Sequence, residues 1–99
     1  MKLIIYSLIG CPYSMKAEKL LEKYQPTIIK VSQNEKEQIK RQNNMATYPQ
    51  IFLKDGDEKI QIGGYDDTVN LLRKIFNNQE IGYKKNESEK LKKFFLNIK

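Results

Sequence analysis

The chain has 99 residues, a formal net charge of +6, a single cysteine and no histidine. This length predicts one domain, residues 1–99, that buries roughly two-thirds of the surface of the unfolded chain. One cysteine excludes an internal disulfide, and without histidine we expect no metal site built from one chain.

The positive charges are scattered rather than clustered. Lysines alternate with glutamates in the stretches 16–23 and 34–41, a pattern typical of solvated helix faces. Nucleic-acid surfaces are typically clusters of cations. We therefore expect no nucleic-acid partner, although anionic small molecules and acidic partners suit the charge.

The N-terminal segment Leu3 to Gly10 imitates a short lipoprotein signal before Cys11. It barely reaches the minimum length of an apolar signal region, and Pro12 follows the supposed cleavage point. A buried first strand is the better interpretation. No other segment suits a membrane span, so we expect a cytoplasmic protein without a membrane partner.

The first half of the chain predicts a strand, a helix and a second, parallel strand. The apolar run Lys2 to Ser7 is typical of a central strand buried on both faces. A helix starts at Pro12 and ends before Pro26, with one apolar face made by Ala17, Leu20, Leu21 and Tyr24. Thr27 to Val31 is the second strand.

The second half predicts a surface helix, a hairpin and two more helices. Gln33 to Asn44 is a short polar helix, and Ile51 to Ile62 is an antiparallel hairpin. Asp66 or Asp67 caps the next helix, whose apolar face is Val69, Leu72, Ile75 and Phe76. A near capping box, Asn86 to Glu89, opens a terminal helix of about residues 87–98 that carries Leu91, Phe94, Phe95 and Ile98. The predicted fold class is an α/β sandwich with a four-stranded mixed sheet flanked by helices.

Cys11 lies where the first strand passes into the first helix. As N-cap, with Pro12 at the first helical position, it leaves the amides of Tyr13 and Ser14 free to face the sulfur. A helix N-terminus stabilises an anion by about 0.3–2 kcal/mol, which favours the thiolate that attacks disulfides. Cys11 is therefore the candidate catalytic residue.

Three motifs follow one another on these elements: Cys11-Pro12-Tyr13-Ser14, Thr47-Tyr48-Pro49 and Gly63-Gly64-Tyr65-Asp66-Asp67. Together they resemble the glutaredoxins, within the thioredoxin-like fold. The resemblance is to the monothiol Cys-Pro-Tyr-Ser variant and covers roughly residues 2–80. The terminal helix lies outside the resemblance, in a part of the chain that varies within the family.

The resemblance implies an active-site motif of Cys11, Pro12, Tyr13 and Ser14 and a glutathione site. It implies a cis bond between Tyr48 and Pro49 beside Cys11, with the Tyr48 backbone pairing with the cysteinyl part of glutathione. Glutathione-binding residues are then Tyr13, Tyr48, Pro49, Gly64, Tyr65, Asp66 and Asp67. The start of the third helix would receive the γ-glutamyl group.

Two departures from the family pattern stand out. Leu8 replaces a lysine common three residues before the cysteine, and Met45 and Ala46 stand where a basic residue usually precedes the second motif. A basic residue of the second helix could bind the glycyl carboxylate of glutathione instead. The candidates are Lys36, Lys40 and Arg41.

Because Ser14 replaces a second cysteine, we expect a monothiol mechanism that uses glutathione as cosubstrate to reduce glutathionylated proteins. One alternative is a carrier in which two chains, expected otherwise to be monomers, hold an iron-sulfur cluster through two Cys11 and two glutathione thiolates. Pro12 and Tyr13 favour the enzyme. A redox-inactive docking module is a third alternative.

Overall fold

The computed structural model describes residues 1–97, which form four strands and four α-helices. A single 3₁₀ turn, Glu22–Tyr24, follows the first helix. The elements are β1 (Lys2–Leu8), α1 (Pro12–Leu20), β2 (Thr27–Val31), α2 (Lys36–Asn43), β3 (Gln50–Asp55), β4 (Glu58–Gly63), α3 (Tyr65–Phe76) and α4 (Lys85–Leu96).

The sheet has the strand order β2-β1-β3-β4. β1 is parallel to β2 and antiparallel to β3, and β3 is antiparallel to β4. The predicted parallel pair, the hairpin and the central position of β1 are confirmed. This mixed sheet brings the C-terminal end of β1, which leads to Cys11, beside the start of β3.

The core lies on the sheet face that α1, α3 and α4 cover. Its fully buried side chains include Leu3 and Ile5 of β1 and Leu91 and Phe95 of α4. The Phe95 ring packs edge-on against Tyr24, with 5.0 Å between centroids. The terminal helix therefore docks on the body through apolar contacts, and the predicted Ile98 lies outside the described residues.

Two helix predictions are wrong in detail. α1 ends at Leu20, and the 3₁₀ turn and a left-handed Gln25 (φ 52°) replace its last turn. α3 buries Thr68, Leu71 and Ile75. Of the four predicted face residues, Ile75 is buried and Leu72 is partly buried against the core, but Phe76 is exposed. Thr68 tolerates burial because its hydroxyl donates to the Gly64 carbonyl at 2.8 Å.

The predicted capping box does not open α4. The helix begins two residues earlier than predicted, at Lys85, with Lys84 as N-cap. The Ser88 hydroxyl instead donates to the Tyr83 carbonyl at 3.2 Å, which ties the first turn of α4 to the preceding loop.

Candidate active site

A tight turn from Leu8 to Cys11 positions the thiol. The Cys11 N–H donates to the Leu8 carbonyl at 3.1 Å, and Ile9 N–H donates to the Val31 carbonyl of β2 at 2.9 Å. Gly10 has a φ of +86°, a conformation that glycine adopts without steric cost. The turn therefore holds Cys11 at a fixed point above the ends of two parallel strands.

Cys11 is the N-cap of α1, followed by Pro12 at the first helical position, as the sequence predicts. Burial raises the pKa of the half-buried thiol, but the Ser14 N–H, the Ser14 hydroxyl and the Tyr13 N–H stabilise the thiolate. The combined effect of these three hydrogen-bond donors is larger than the effect of burial, so the pKa of Cys11 lies below its ordinary value. The first turn of α1 thus favours the nucleophilic form of the sulfur.

The loop before β3 lies against the thiol. The Tyr48-Pro49 bond is cis, which confirms the sequence expectation, and Cys11 Sγ is 4.0 Å from the Tyr48 carbonyl oxygen. The Tyr48 phenol donates to the Lys36 carbonyl of α2 at 2.9 Å. The Tyr48 side chain therefore anchors α2, while its backbone lies beside the sulfur.

The third motif forms the start of α3. Gly64 is the N-cap, and its N–H donates to Asp67 Oδ2 at 3.0 Å, so Asp67 is the aspartate that caps this helix. Gly63 has a φ of +121°, and a side chain there would collide with the Asp67 carboxylate. A Cβ on Gly64 would lie 3.7 Å from the Pro49 carbonyl oxygen, so this helix start approaches the cis-proline loop closely.

The three motifs meet around one cleft of about 420 Å³. Its lining residues are Tyr13, Thr47, Tyr48, Gly64, Tyr65, Asp66 and Asp67. The rings of Tyr13 and Tyr65 lie 6.1 Å apart, and Lys16 Nζ lies 5.2 and 5.9 Å from their centroids. Cys11 thus neighbours a polar cleft with aromatic side chains at its wall.

Two residues at the cleft were not among the predicted site residues. Thr47 belongs to the second motif without a predicted role, and Lys16 lies in a stretch whose charge pattern predicts a solvated helix face. The spacing of Lys16 from Tyr13, three residues along a helix, is the signal that places an ammonium group beside that ring.

The basic residues of α2 do not line the cleft beside Cys11. Lys40 pairs with Glu37 at 3.0 Å, and together with Arg41 it lines a separate cavity of about 320 Å³. The Lys36 carbonyl accepts the Tyr48 phenol. Of the three residues suggested for the glycyl carboxylate of glutathione, Lys36 touches the cleft residue Tyr48, and it does so through its backbone carbonyl.

Within residues 1–97, no helix has the length and apolar character needed to cross a bilayer. The same residues contain no group of three or more His, Cys, Asp or Glu side chains placed to hold a metal ion.

Known proteins resemble this chain in sequence and in fold. The family model described as Glutaredoxin matches residues 3–57. Glutaredoxin 1 of Rickettsia prowazekii is 40% identical over 75 residues, covering 70% of this chain and 75% of that protein. Glutaredoxin 1 of Rickettsia bellii is 40% identical over 77 residues, covering 70% and 74%.

Two solved structures resemble the fold. The crystal structure of glutaredoxin 1 from Francisella tularensis complexed with cacodylate aligns with a TM-score of 0.59 and 25% identity, over 77% of this chain and 96% of that chain. The solution structure of glutaredoxin from Brucella melitensis aligns with a TM-score of 0.54 and 26% identity, over 85% and 94%. The chain therefore belongs to the glutaredoxin family, with its thioredoxin-like fold and its thiol-disulfide redox chemistry.

Proposed function

We propose that the chain is a monothiol glutaredoxin that reduces protein-glutathione mixed disulfides through Cys11, with glutathione as cosubstrate. One observation carries the proposal: a thiol of lowered pKa lies 4.0 Å from the Tyr48 carbonyl, beside a cleft lined by all three motifs. With one cysteine in the chain, the second thiol of each exchange has to come from another molecule.

The cleft suits an extended peptide. Its volume of about 420 Å³ falls within the usual range of small-ligand sites. Within residues 1–97 the Tyr48 N–H donates to no backbone carbonyl. We therefore assign this N–H and the carbonyl beside Cys11 to pairing with the cysteinyl residue of glutathione. Such pairing would hold the glutathione sulfur near Cys11 Sγ.

The start of α3 suits the γ-glutamyl end. Backbone amides at a helix N-terminus bind carboxylates, and the Tyr65 and Asp66 amides lie in the first turn at the cleft wall. Asp67 Oδ2 is engaged by the Gly64 N–H. We therefore assign the α-ammonium group to Asp66, which is exposed at the cleft, and a structural role to Asp67.

The exchange proceeds in two steps. The Cys11 thiolate attacks the glutathionyl sulfur of the substrate, forming a Cys11-glutathione disulfide as the substrate thiolate leaves. A second glutathione thiolate then attacks the glutathionyl sulfur, which gives oxidised glutathione and restores the Cys11 thiolate. Each cycle consumes one free glutathione, and the other half of the oxidised glutathione comes from the substrate. Ser14 has no thiol, so it cannot resolve the intermediate internally.

A glutathionylated peptide with glutathione and a glutathione-recycling system tests this function. We expect turnover by the wild-type chain, none by Cys11→Ser, and poor reduction of a protein that carries an internal disulfide. Met15→Ala, an exposed change in the same helix turn, should retain the wild-type rate. Absence of turnover by a folded chain with reduced Cys11 would contradict the proposal.

We further propose that residues 1–99 form a single domain that acts as a monomer in the cytoplasm. A lone cysteine used as a free thiol suits a reducing compartment. Sedimentation of the reduced chain across a range of concentrations tests the monomer.

A further inference from the structure

Three lysines stand side by side across three strands, at the end of the sheet remote from Cys11. Lys2 of β1 pairs directly with Lys54 of β3, and Lys54 pairs with Lys59 of β4. Directly paired residues project to the same face of a sheet, so the three exposed side chains form one lysine row. Like charges placed directly opposite each other are destabilising.

The opposite face of the same hairpin has its charges compensated. Asp55 pairs with Glu58 in the next register position, which also places two like charges opposite each other. Lys90 of α4 reaches both carboxylates, at 3.0 Å and 3.1 Å. This face therefore has a countercharge that the fold itself supplies.

The lysine row has no such countercharge among residues 1–97. The ion pairs of the described chain use Lys30, Lys40 and Lys90. Lys59 is held in place by aromatic contacts instead, with Nζ 5.7 Å from the Tyr6 ring centroid and 5.3 Å from that of Phe52. The row is thus an exposed, partly ordered line of cations across about 10 Å of sheet.

We propose that the lysine row is a docking surface for an acidic segment of a partner protein. Two or three carboxylates on a short extended segment span a row of this length and supply the countercharge that α4 provides on the other face. Since β1 rises about 20 Å between Lys2 and Leu8, the partner would dock there without covering the cleft beside Cys11.

The surroundings favour protein over nucleic acid. Single-stranded nucleic acids bind where cations alternate with exposed aromatic faces on which bases stack. Here Lys59 lies over both neighbouring rings, and Phe52 is only 5% exposed. The aromatic surface beside the row is therefore limited to the partly exposed Tyr6 ring, which Lys59 already approaches.

An eight-residue peptide of alternating Glu and Ser is a suitable probe, titrated into the isotope-labelled full chain at low salt and followed by backbone amide NMR. We expect shifts centred on Lys2, Lys54 and Lys59, and none with a peptide of alternating Gln and Ser. The double variant Lys54→Gln/Lys59→Gln should weaken binding by about fivefold or more. The matched control Lys19→Gln/Lys74→Gln makes the same change in net charge on exposed helix positions and should weaken binding less than about twofold.

Four results would overturn the proposal: equal weakening by both double variants, shifts centred on the cleft, tighter binding of the row to a single-stranded oligonucleotide, or a dimer that the Lys54→Gln/Lys59→Gln variant abolishes. Equal weakening or shifts at the cleft would exclude a binding site at the lysine row. Tighter oligonucleotide binding or a dimer would show that nucleic acid or a second copy of the chain binds there instead. Cys11→Ser should bind the peptide as the wild type does, so the outcome is independent of the proposed redox function.

Discussion

Ser14 Oγ accepts a hydrogen bond from the backbone N–H of Leu8 at 3.0 Å. Ser14 is fully buried, and its own hydroxyl proton stabilises the Cys11 thiolate. One side chain thus joins the end of β1 to the reactive sulfur. Besides replacing a second thiol, Ser14 helps to position the turn that carries Cys11.

Replacing Ser14 by alanine should affect both stability and reactivity. The Leu8 N–H loses its acceptor, which costs about 1–3 kcal/mol of unfolding free energy, and the pKa of Cys11 rises because a hydroxyl donor is lost. Urea unfolding and the pH profile of Cys11 alkylation measure the two effects. Met15→Ala, exposed in the same turn, should change neither. An unchanged alkylation profile in Ser14→Ala would remove Ser14 from the account of thiolate stabilisation.

The lowered pKa of Cys11 also predicts how stability depends on pH. A pKa that is lower in the folded state than in the unfolded state means that folding stabilises the Cys11 thiolate relative to the thiol. This stabilisation is fully present above the unfolded pKa of about 8.5 and is lost as the pH falls through the folded pKa. The difference in unfolding free energy between wild type and Cys11→Ser should therefore grow in favour of the wild type from about pH 6 to pH 9. A flat difference would contradict the lowered pKa.

Substitutions of Asp66 and Asp67 should have different effects, the first on glutathione binding and the second on stability. Asp66→Asn should raise the KM for glutathione without changing Tm, because Asp66 is assigned to the ligand. Asp67→Ala removes the acceptor of the Gly64 N–H and should cost about 0.5–2 kcal/mol of stability. Steady-state kinetics and thermal unfolding of both variants measure the split. A KM unaffected by Asp66→Asn would overturn the assignment of the ammonium site.

Lys90 should stabilise the hairpin in a pH-dependent manner. Hydrogen bonding and charge from Lys90 lower the pKa of Asp55, so the stabilisation is present above the unfolded pKa of about 3.9 and disappears as the pH falls through the folded value. Lys90→Met should lower Tm at neutral pH, and the deficit should shrink below about pH 4. Lys85→Met, at the exposed start of the same helix, should show no such pH-dependent deficit. A deficit of the same size at all pH values would indicate a packing defect instead.

The sequence was sufficient for elements whose local signals agree. β2 was predicted at its exact bounds, Thr27–Val31, and α1 at its start, because Pro12 marks a first helical position. The face of α3 was predicted only in part, because hydrophobic periodicity gives no weight to Thr68. That residue is buried only because its hydroxyl finds the Gly64 carbonyl, a partner that the hydrophobic pattern does not reveal.

The motifs of the site were predicted from the sequence, but the hydrogen bonds and strand pairings that join distant residues were not. The motifs placed Cys11, Tyr48 and Gly64 at element ends, where backbone groups lie free. The link from Ser14 to Leu8 and the lysine row depend on turn closure and strand register. Register is set by tertiary packing as well as by local pattern, so Lys2, Lys54 and Lys59 appear scattered in the sequence.

Intact-protein mass spectrometry after reaction with oxidised glutathione tests the central claim most directly. We predict one glutathione on Cys11, formed faster than the adduct from an equal concentration of cystine, slowed by Asp66→Asn, and removed by reduced glutathione. No adduct on a folded chain with reduced Cys11, or equal rates with oxidised glutathione and cystine in both wild type and Asp66→Asn, would contradict a glutathione site beside this thiol.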